Sequence, residues 1–200
     1  MGAIVVPFRG LGGKRRLVGL SHEERERLLL AMLGDVLAAA TEVWRTVVVT
    51  ADDSGREVAE AVGADVVADP GGGQGAAVAA ALGLLPSDAT LIVNADLPCV
   101  LPYDLRSLIA STPRGGLAVV PSEDGRTNAL SLPGPELFRP LYGARSAERF
   151  LRAAHALGVE ALAASIPNLA DDVDTFEDVE RLQLRAGPRT QGALRTLEAA

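Results

Sequence analysis

The chain has little of what many functional classes require. It holds one cysteine in 200 residues, so no internal disulfide can form, and the simple reading is a reducing, cytoplasmic compartment. Cys99 follows an apolar run and reads as a small buried hydrophobe. There are two histidines, His22 and His155, both in helix-like segments. They offer no Cys/His zinc spacing and no nucleophilic triad. Basic residues are in the minority, 19 against 26 acidic, for a net charge of -7. A general nucleic-acid binder needs the opposite balance, so no nucleic-acid partner is expected. No run reaches the eighteen or so apolar residues of a membrane helix. The opening MGAIVVPFRG lacks the basic n-region and cleavage site of a signal peptide and reads as a first strand. Val6 at the Ser/Thr position argues against myristoylation.

What is present is a core of small and aliphatic residues. Hydrophobic residues are 48% of the chain and aromatics only 4%, so many small contacts replace a few large rings. The length fits one α/β domain, expected over residues 1–186. After Gly187 the composition turns to Pro, Arg, Thr, Gln and Gly, which predicts a loosely held tail over 187–200.

Strand-like and helix-like segments alternate along the chain. Residues 3–8 are a continuous apolar run, as expected of a strand buried on both faces. Ser21 and Glu24 form a capping box opening a helix to about Ala40. Strands are predicted near 46–51, 65–70, 89–98, 116–122, 127–132 and 159–166, with helices between them except between 116–122 and 127–132, which follow one another directly, and a last helix over 175–187. This alternation predicts βαβ units and a mostly parallel, Rossmann-like sheet. Ligands in such sheets bind beyond the carboxyl ends of the strands, so the residues there are the candidates.

The first strand is followed by Arg9, Gly10, Gly12, Gly13, Lys14, Arg15 and Arg16. Glycines admit backbone N–H groups close to phosphate oxygens, and the cations balance their charge. The loop is neither a Walker A motif nor G-x-G-x-x-G, and a solvated basic loop is the competing reading. A second glycine stretch, Gly71-Gly72-Gly73-Gln74-Gly75, opens a helix whose free N–H groups suit an anion or carbonyl, or marks a turn. Asn94-Ala95-Asp96-Leu97-Pro98 puts a carboxylate at the sheet edge, where Mg²⁺ could bind. Asp171, Asp172 and Asp174 precede the last helix. In an extended backbone Asp172 and Asp174 face one side, although Asp174 and Glu177 could instead cap that helix. Gly125-Arg126-Thr127-Asn128 could be only a turn. Ser146 could be only an N-cap with Arg149 nearby, or this helix start and its cation could receive a phosphate or carboxylate.

Together these pieces resemble the CofC/FbiD guanylyltransferases of the MobA-like nucleotidyltransferase group. The likeness runs over residues 3 to about 184. The basic glycine loop and LSHEERERLLLAMLGDVL resemble the family's nucleotide loop and first helix. NADLPCVLPYDL resembles its metal-binding segment, and GRTNALSL its "GGTNAL" element. YGARSAERF resembles its "G-x-x-S" element, and DDVDTFEDVERL its closing motif. The resemblance implies a three-layer α/β/α fold and transfer of GMP from GTP to a small phospho-acid, with release of pyrophosphate. The acid would be phosphoenolpyruvate or else 2-phospho-L-lactate, with 3-phospho-D-glycerate a third candidate, in coenzyme F-420 biosynthesis. The next transferase of that pathway would be a functional partner. Thr127, Gly143 and Ser146 would hold the phospho-acid. Asp96 with Asp174, favoured over Asp172, would hold Mg²⁺. Lys14 and Arg16 would face the triphosphate, and Pro7, Gly12, Gly13, Gln74 and Gly75 would bind nucleotide. Three departures stand out: a first loop one residue shorter than usual, Gly73-Gln74-Gly75 where the family often has Gly-Leu-Asn, and Phe176 in place of a proline. A cytidylyl- or sugar-1-phosphate nucleotidyltransferase, or a non-catalytic GTP-binding protein of the same fold, is the alternative.

Overall fold

The computed structural model describes residues 2–10, 17, 19–86 and 89–198. The first strand, β1 (Ala3–Pro7), is buried along its length. Ile4 and Val6 pack into one apolar cluster and Val5 into the other, on the opposite face. That is why its sequence is apolar without alternation. Helix α1 (His22–Thr41) starts at the expected capping box, with reciprocal bonds between Ser21 and Glu24. There follow β2 (Arg45–Thr50), α2 (Asp53–Ala61), β3 (Asp65–Ala68), α3 (Gln74–Leu82), β4 (Thr90–Val93) and α4 (Pro102–Ser111). The second half adds β5 (Leu117–Pro121), β6 (Thr127–Leu132), α5 (Ser146–Ala156), β7 (Ala161–Ala163), α6 (Pro167–Ala170), α7 (Phe176–Leu182) and α8 (Pro188–Glu198).

The strands form one seven-stranded sheet in the order β3-β2-β1-β4-β6-β5-β7. All neighbours are parallel except those of β6, which runs antiparallel between β4 and β5. Leu28, Leu33, Leu105, Leu108, Leu169 and Leu182 cover one face. Ala77, Val78, Ala81 and Phe150 cover the other. The three-layer, mostly parallel architecture expected from the sequence is therefore present. The reversal of β6 brings its first residues to the same sheet edge as the last residues of β1 and β4.

The end of the chain differs from expectation. Residues 188–198 form α8, packed along α1 with Ala193 and Leu194 buried. Its start carries Pro188, a favoured first helical residue, but no N-capping side chain of its own. Asp35 of α1, only 5% exposed, supplies the cap: its carboxylate accepts the main-chain N–H of Arg189 at 3.1 Å and of Thr190 at 2.8 Å. Composition could not reveal a cap that arrives from another helix. Asp35→Ala should lower the unfolding free energy by about 1–2 kcal/mol, as loss of a cap does. Chemical denaturation with limited proteolysis checks this, and an unchanged midpoint with an intact C-terminus would refute it.

Candidate active site

The connections leave β1 and β4 in opposite directions across the sheet, the arrangement that opens a crevice at the strand ends. A cleft of about 270 Å³ lies there. Pro7, Phe8 and Arg9 line it from the end of β1, Asn94 to Asp96 from the end of β4, and Thr127 and Asn128 from the start of β6. Gly10, Leu29, Gln74, Arg126, Tyr142, Gly143, Ser146, Asp172 and Asp174 also line it. Gly12, Gly13, Lys14, Arg15 and Arg16 lie outside the described residues. His22 and His155 are exposed on helices, as expected.

Asp96, Asp172 and Asp174 each offer one carboxylate oxygen, and these atoms lie within 4.8 Å of one another. The main-chain N–H of Val173 donates to the carbonyl of Asp96 at 3.1 Å, pinning the closing segment to the tip of β4. Val173 is buried in the core at 1% exposure. Alternation then sends its two neighbours to the cleft side. Capping of α7 falls to Thr175 and Asp178, not to Asp174 and Glu177. The Asp174 main-chain N–H also donates to Asp178, at 3.1 Å. All three carboxylates are half-buried. Like charges this close are costly in a poorly solvated site. A hard, oxygen-seeking divalent cation offsets that cost, so the donor set fits one.

Asp171 faces away from the cleft and pairs with Arg181 and Arg185. Burial pushes its carboxyl up, but hydrogen bonds from the two guanidinium groups outweigh it and hold the pKa below the usual carboxylate value. Asp178 is likewise lowered: burial raises it, and bonds from Thr175 and Arg181 prevail. With a depressed folded-state pKa, the unfolded chain takes up protons first. The stabilisation is complete above the unfolded-state pKa of about 4 and fades as pH falls through the lower folded value. The stability gap between wild type and Arg181→Ala should thus be widest at neutral pH and close in acid. Denaturant midpoints across pH check this, and a gap independent of pH would refute it.

Thr127 and Ser146 meet across the cleft floor, their hydroxyl oxygens 2.9 Å apart and both residues buried. Ser146 is the first residue of α5, not its N-cap. That position belongs to Arg145, in the left-handed region at φ 52° with no side-chain cap bond. The Arg149 guanidinium is engaged by its own loop. It donates to the carbonyls of Leu141 and Tyr142 at 2.7 and 2.6 Å and so staples the loop. Gly143, at φ 115°, lies in that loop, and a side chain there would come within 3.3 Å of the Arg149 guanidinium. Tyr142 rests edge-on against Phe150 with ring centres 5.4 Å apart. Residues 122–126 do make a tight turn, and Thr127 and Asn128 also line the cleft.

Gly71, Gly72 and Gly73 all take positive φ, between 80° and 95°, which sets the sharp entry into α3. Gly75 has a different reason. A Cβ there would meet Pro140 at 2.7 Å, so its glycine permits close packing beside a neighbouring cleft. Gln74 donates to Asn94 at 2.7 Å, and Asn94 in turn donates to Asn128. Sequence reasoning did not single out Asn94 and Asn128 as site residues. The available signal was their position, one at the strand end two residues before Asp96 and one immediately after Thr127.

A family model described as guanylyl transferase, CofC like, matches residues 2–198. The phosphoenolpyruvate guanylyltransferase of Roseiflexus castenholzii is 35% identical over an alignment of 188 positions that covers 92% of this chain and 88% of that protein. The protein of the same name from Streptomyces coelicolor is 38% identical over an alignment of 201 positions that covers 94% of this chain and 92% of that protein. Among solved structures, a candidate nucleotide-diphospho-sugar transferase from Desulfovibrio desulfuricans G20 superposes with a TM-score of 0.78. The two chains share 16% identity, covering 99% of this chain and 95% of the other. At that identity the likeness is one of fold.

Proposed function

The chain belongs to the CofC-like guanylyl transferase family, and from that premise we propose that it transfers GMP from GTP to the phosphate of phosphoenolpyruvate, releasing pyrophosphate. The observation that carries this reading is one cleft holding both an acidic triad and the Thr127–Ser146 hydroxyl pair. An alternative acceptor is 2-phospho-L-lactate, which differs by a few atoms. The reaction belongs to coenzyme F-420 biosynthesis in this reading, and the next transferase of that pathway would draw off the product.

The acceptor's phosphate attacks the α-phosphorus of GTP and pyrophosphate leaves. A phosphate has its second pKa at about 6, so it is already largely ionised at neutral pH. No general base is required, which accounts for a cleft lined without histidine. Asp96, Asp172 and Asp174 would hold Mg²⁺, which neutralises charge on the phosphoryl oxygens. In the Thr127–Ser146 pair the mutual bond uses one hydroxyl proton. The other is available to an anion, and this suits a phosphate or carboxylate of the acid. Gly143 keeps the loop close enough for that contact. Lys14 and Arg16 would balance the triphosphate charge, and Pro7, Gly12, Gly13, Gln74 and Gly75 would hold the nucleotide. Positioning and charge neutralisation then supply the catalysis.

No described helix is long and apolar enough to cross a membrane. We place the reaction in the cytoplasm, where the lone Cys99 stays reduced. Its burial also pushes the thiol pKa up, so it is a poor nucleophile.

The deciding experiment is pyrophosphate release from GTP and Mg²⁺ with phosphoenolpyruvate, 2-phospho-L-lactate and 3-phospho-D-glycerate in turn. Each is run with and without the next transferase. Release with phosphoenolpyruvate alone among the acids is expected. Release with none of them while GTP still binds would favour the non-catalytic reading.

A further inference from the structure

Three side-chain amides run from the head of α3 to the acidic triad. Gln74 Nε2 donates to Asn94 Oδ1 at 2.7 Å. Asn94 Nδ2 donates to Asn128 Oδ1 at 3.3 Å and to the Thr127 carbonyl at 3.2 Å. Asn128 Nδ2 donates to Asp172 Oδ1 at 3.2 Å and to the Ala170 carbonyl at 3.0 Å.

The direction of this chain is forced by its far end. An ionised carboxylate and a main-chain carbonyl only accept. Asn128 must turn its NH₂ to Asp172 and Ala170, which leaves its oxygen facing Asn94. Asn94 must then turn its own NH₂ to that oxygen and to the Thr127 carbonyl. Its oxygen is left for Gln74, which must donate. Neither asparagine can flip alone without setting oxygen against oxygen.

We propose that Asn94 and Asn128 are positioning residues: they hold Asp172 in its metal-facing orientation and make that orientation depend on the amide of Gln74. This rests on the metal reading above. A hydrogen bond to one carboxylate oxygen fixes the carboxylate plane, and such outer partners commonly change metal affinity about 10–100-fold. Gln74 lines both the main cleft and its neighbour. A group bound there meets one end of the relay while the metal meets the other.

Gln74→Glu separates this idea from simple electrostatics by sign. The substitution keeps the shape and adds a negative charge, which by Coulomb attraction tightens cation binding. The relay gives the opposite result. A glutamate carboxylate cannot donate to Asn94, so Asn94 must turn and the mismatch passes to Asn128. Asn128 then presents oxygen to Asp172. The measurement is Mn²⁺ binding to the purified full chain, followed by the paramagnetic signal of free Mn²⁺, alone and with GTP. Thermal unfolding confirms that each variant is folded. We expect Gln74→Glu to bind Mn²⁺ about tenfold more weakly than wild type, and Gln74→Met, which removes the donor without inverting it, to lose less. Asn94→Asp, also unable to donate, should weaken Mn²⁺ in the same direction and serves if Gln74→Glu does not fold. Equal or tighter Mn²⁺ binding in a folded accept-only variant overturns the relay and leaves the metal site standing. No Mn²⁺ binding by wild type, with or without GTP, overturns both.

Discussion

Asp96→Asn is expected to lower the turnover of GMP transfer by roughly 10²–10³, the loss seen when one preorganised electrostatic group is removed, while GTP binding stays close to normal. The substitution keeps size and shape and removes one of the three charges that converge at the cleft. Its effect should therefore fall on the charge that develops as pyrophosphate leaves, not on ground-state contacts. Raising Mg²⁺ should recover part of the loss, since a weakened site fills at higher metal concentration. Asp174→Asn should behave alike, because α7 is capped by Thr175 and Asp178 and does not need Asp174 for that purpose. Steady-state kinetics over a Mg²⁺ series is the measurement. Near-normal turnover of Asp96→Asn at low Mg²⁺ would show that the triad is not the metal site.

Ser146→Ala is expected to lower kcat/KM for the phospho-acid by roughly 10–100-fold and to leave the KM for GTP almost unchanged. Hydrogen bonds to charged groups contribute about 1.5–3 kcal/mol, and Ser146 contributes one of the two hydroxyls at that end of the cleft. The change also leaves the Thr127 hydroxyl buried without its 2.9 Å partner, so some thermal stability should be lost as well. Thr127→Ser retains the hydroxyl pair and should retain most of the activity. Separate titrations of acid and GTP test this. A rise in the KM for GTP with no effect on the acid would move the acceptor elsewhere in the cleft.

Much of the fold was legible from local pattern. The continuous apolar run at β1 arises because both sheet faces are covered, and that shows in five adjacent residues. The Ser21–Glu24 box and Pro102 at the head of α4 are signals contained within a few residues. The same holds for the pairing of Asp172 with Asp174, since one buried valine between two exposed-side aspartates is a local alternation. The departures have a common cause. α8 is capped by Asp35, far away in the chain, which no window around residues 188–198 contains. The capping of α7 lies one residue later than the sequence reading placed it, where Thr175 and Asp178 form the reciprocal box. Arg149 near a helix start read as an anion site, but its guanidinium is engaged by two carbonyls that only the folded loop brings near.

By itself the sequence determined the alternation of strands and helices, the sheet edge where a cleft would open, and most of the segments that line it. Periodicity, caps and short motifs are properties of neighbouring residues, and they survive without knowledge of the fold. Only the tertiary structure decided which segments meet. The antiparallel insertion of β6 places Thr127 and Asn128 beside Asp96. The main-chain hydrogen bond from Val173 to Asp96 then helps bring the triad together across distant parts of the chain. The amide relay from Gln74 to Asp172 likewise joins four segments, each unremarkable alone. Such contacts depend on strand order and on packing summed over the whole core, and a sequence read window by window does not contain them.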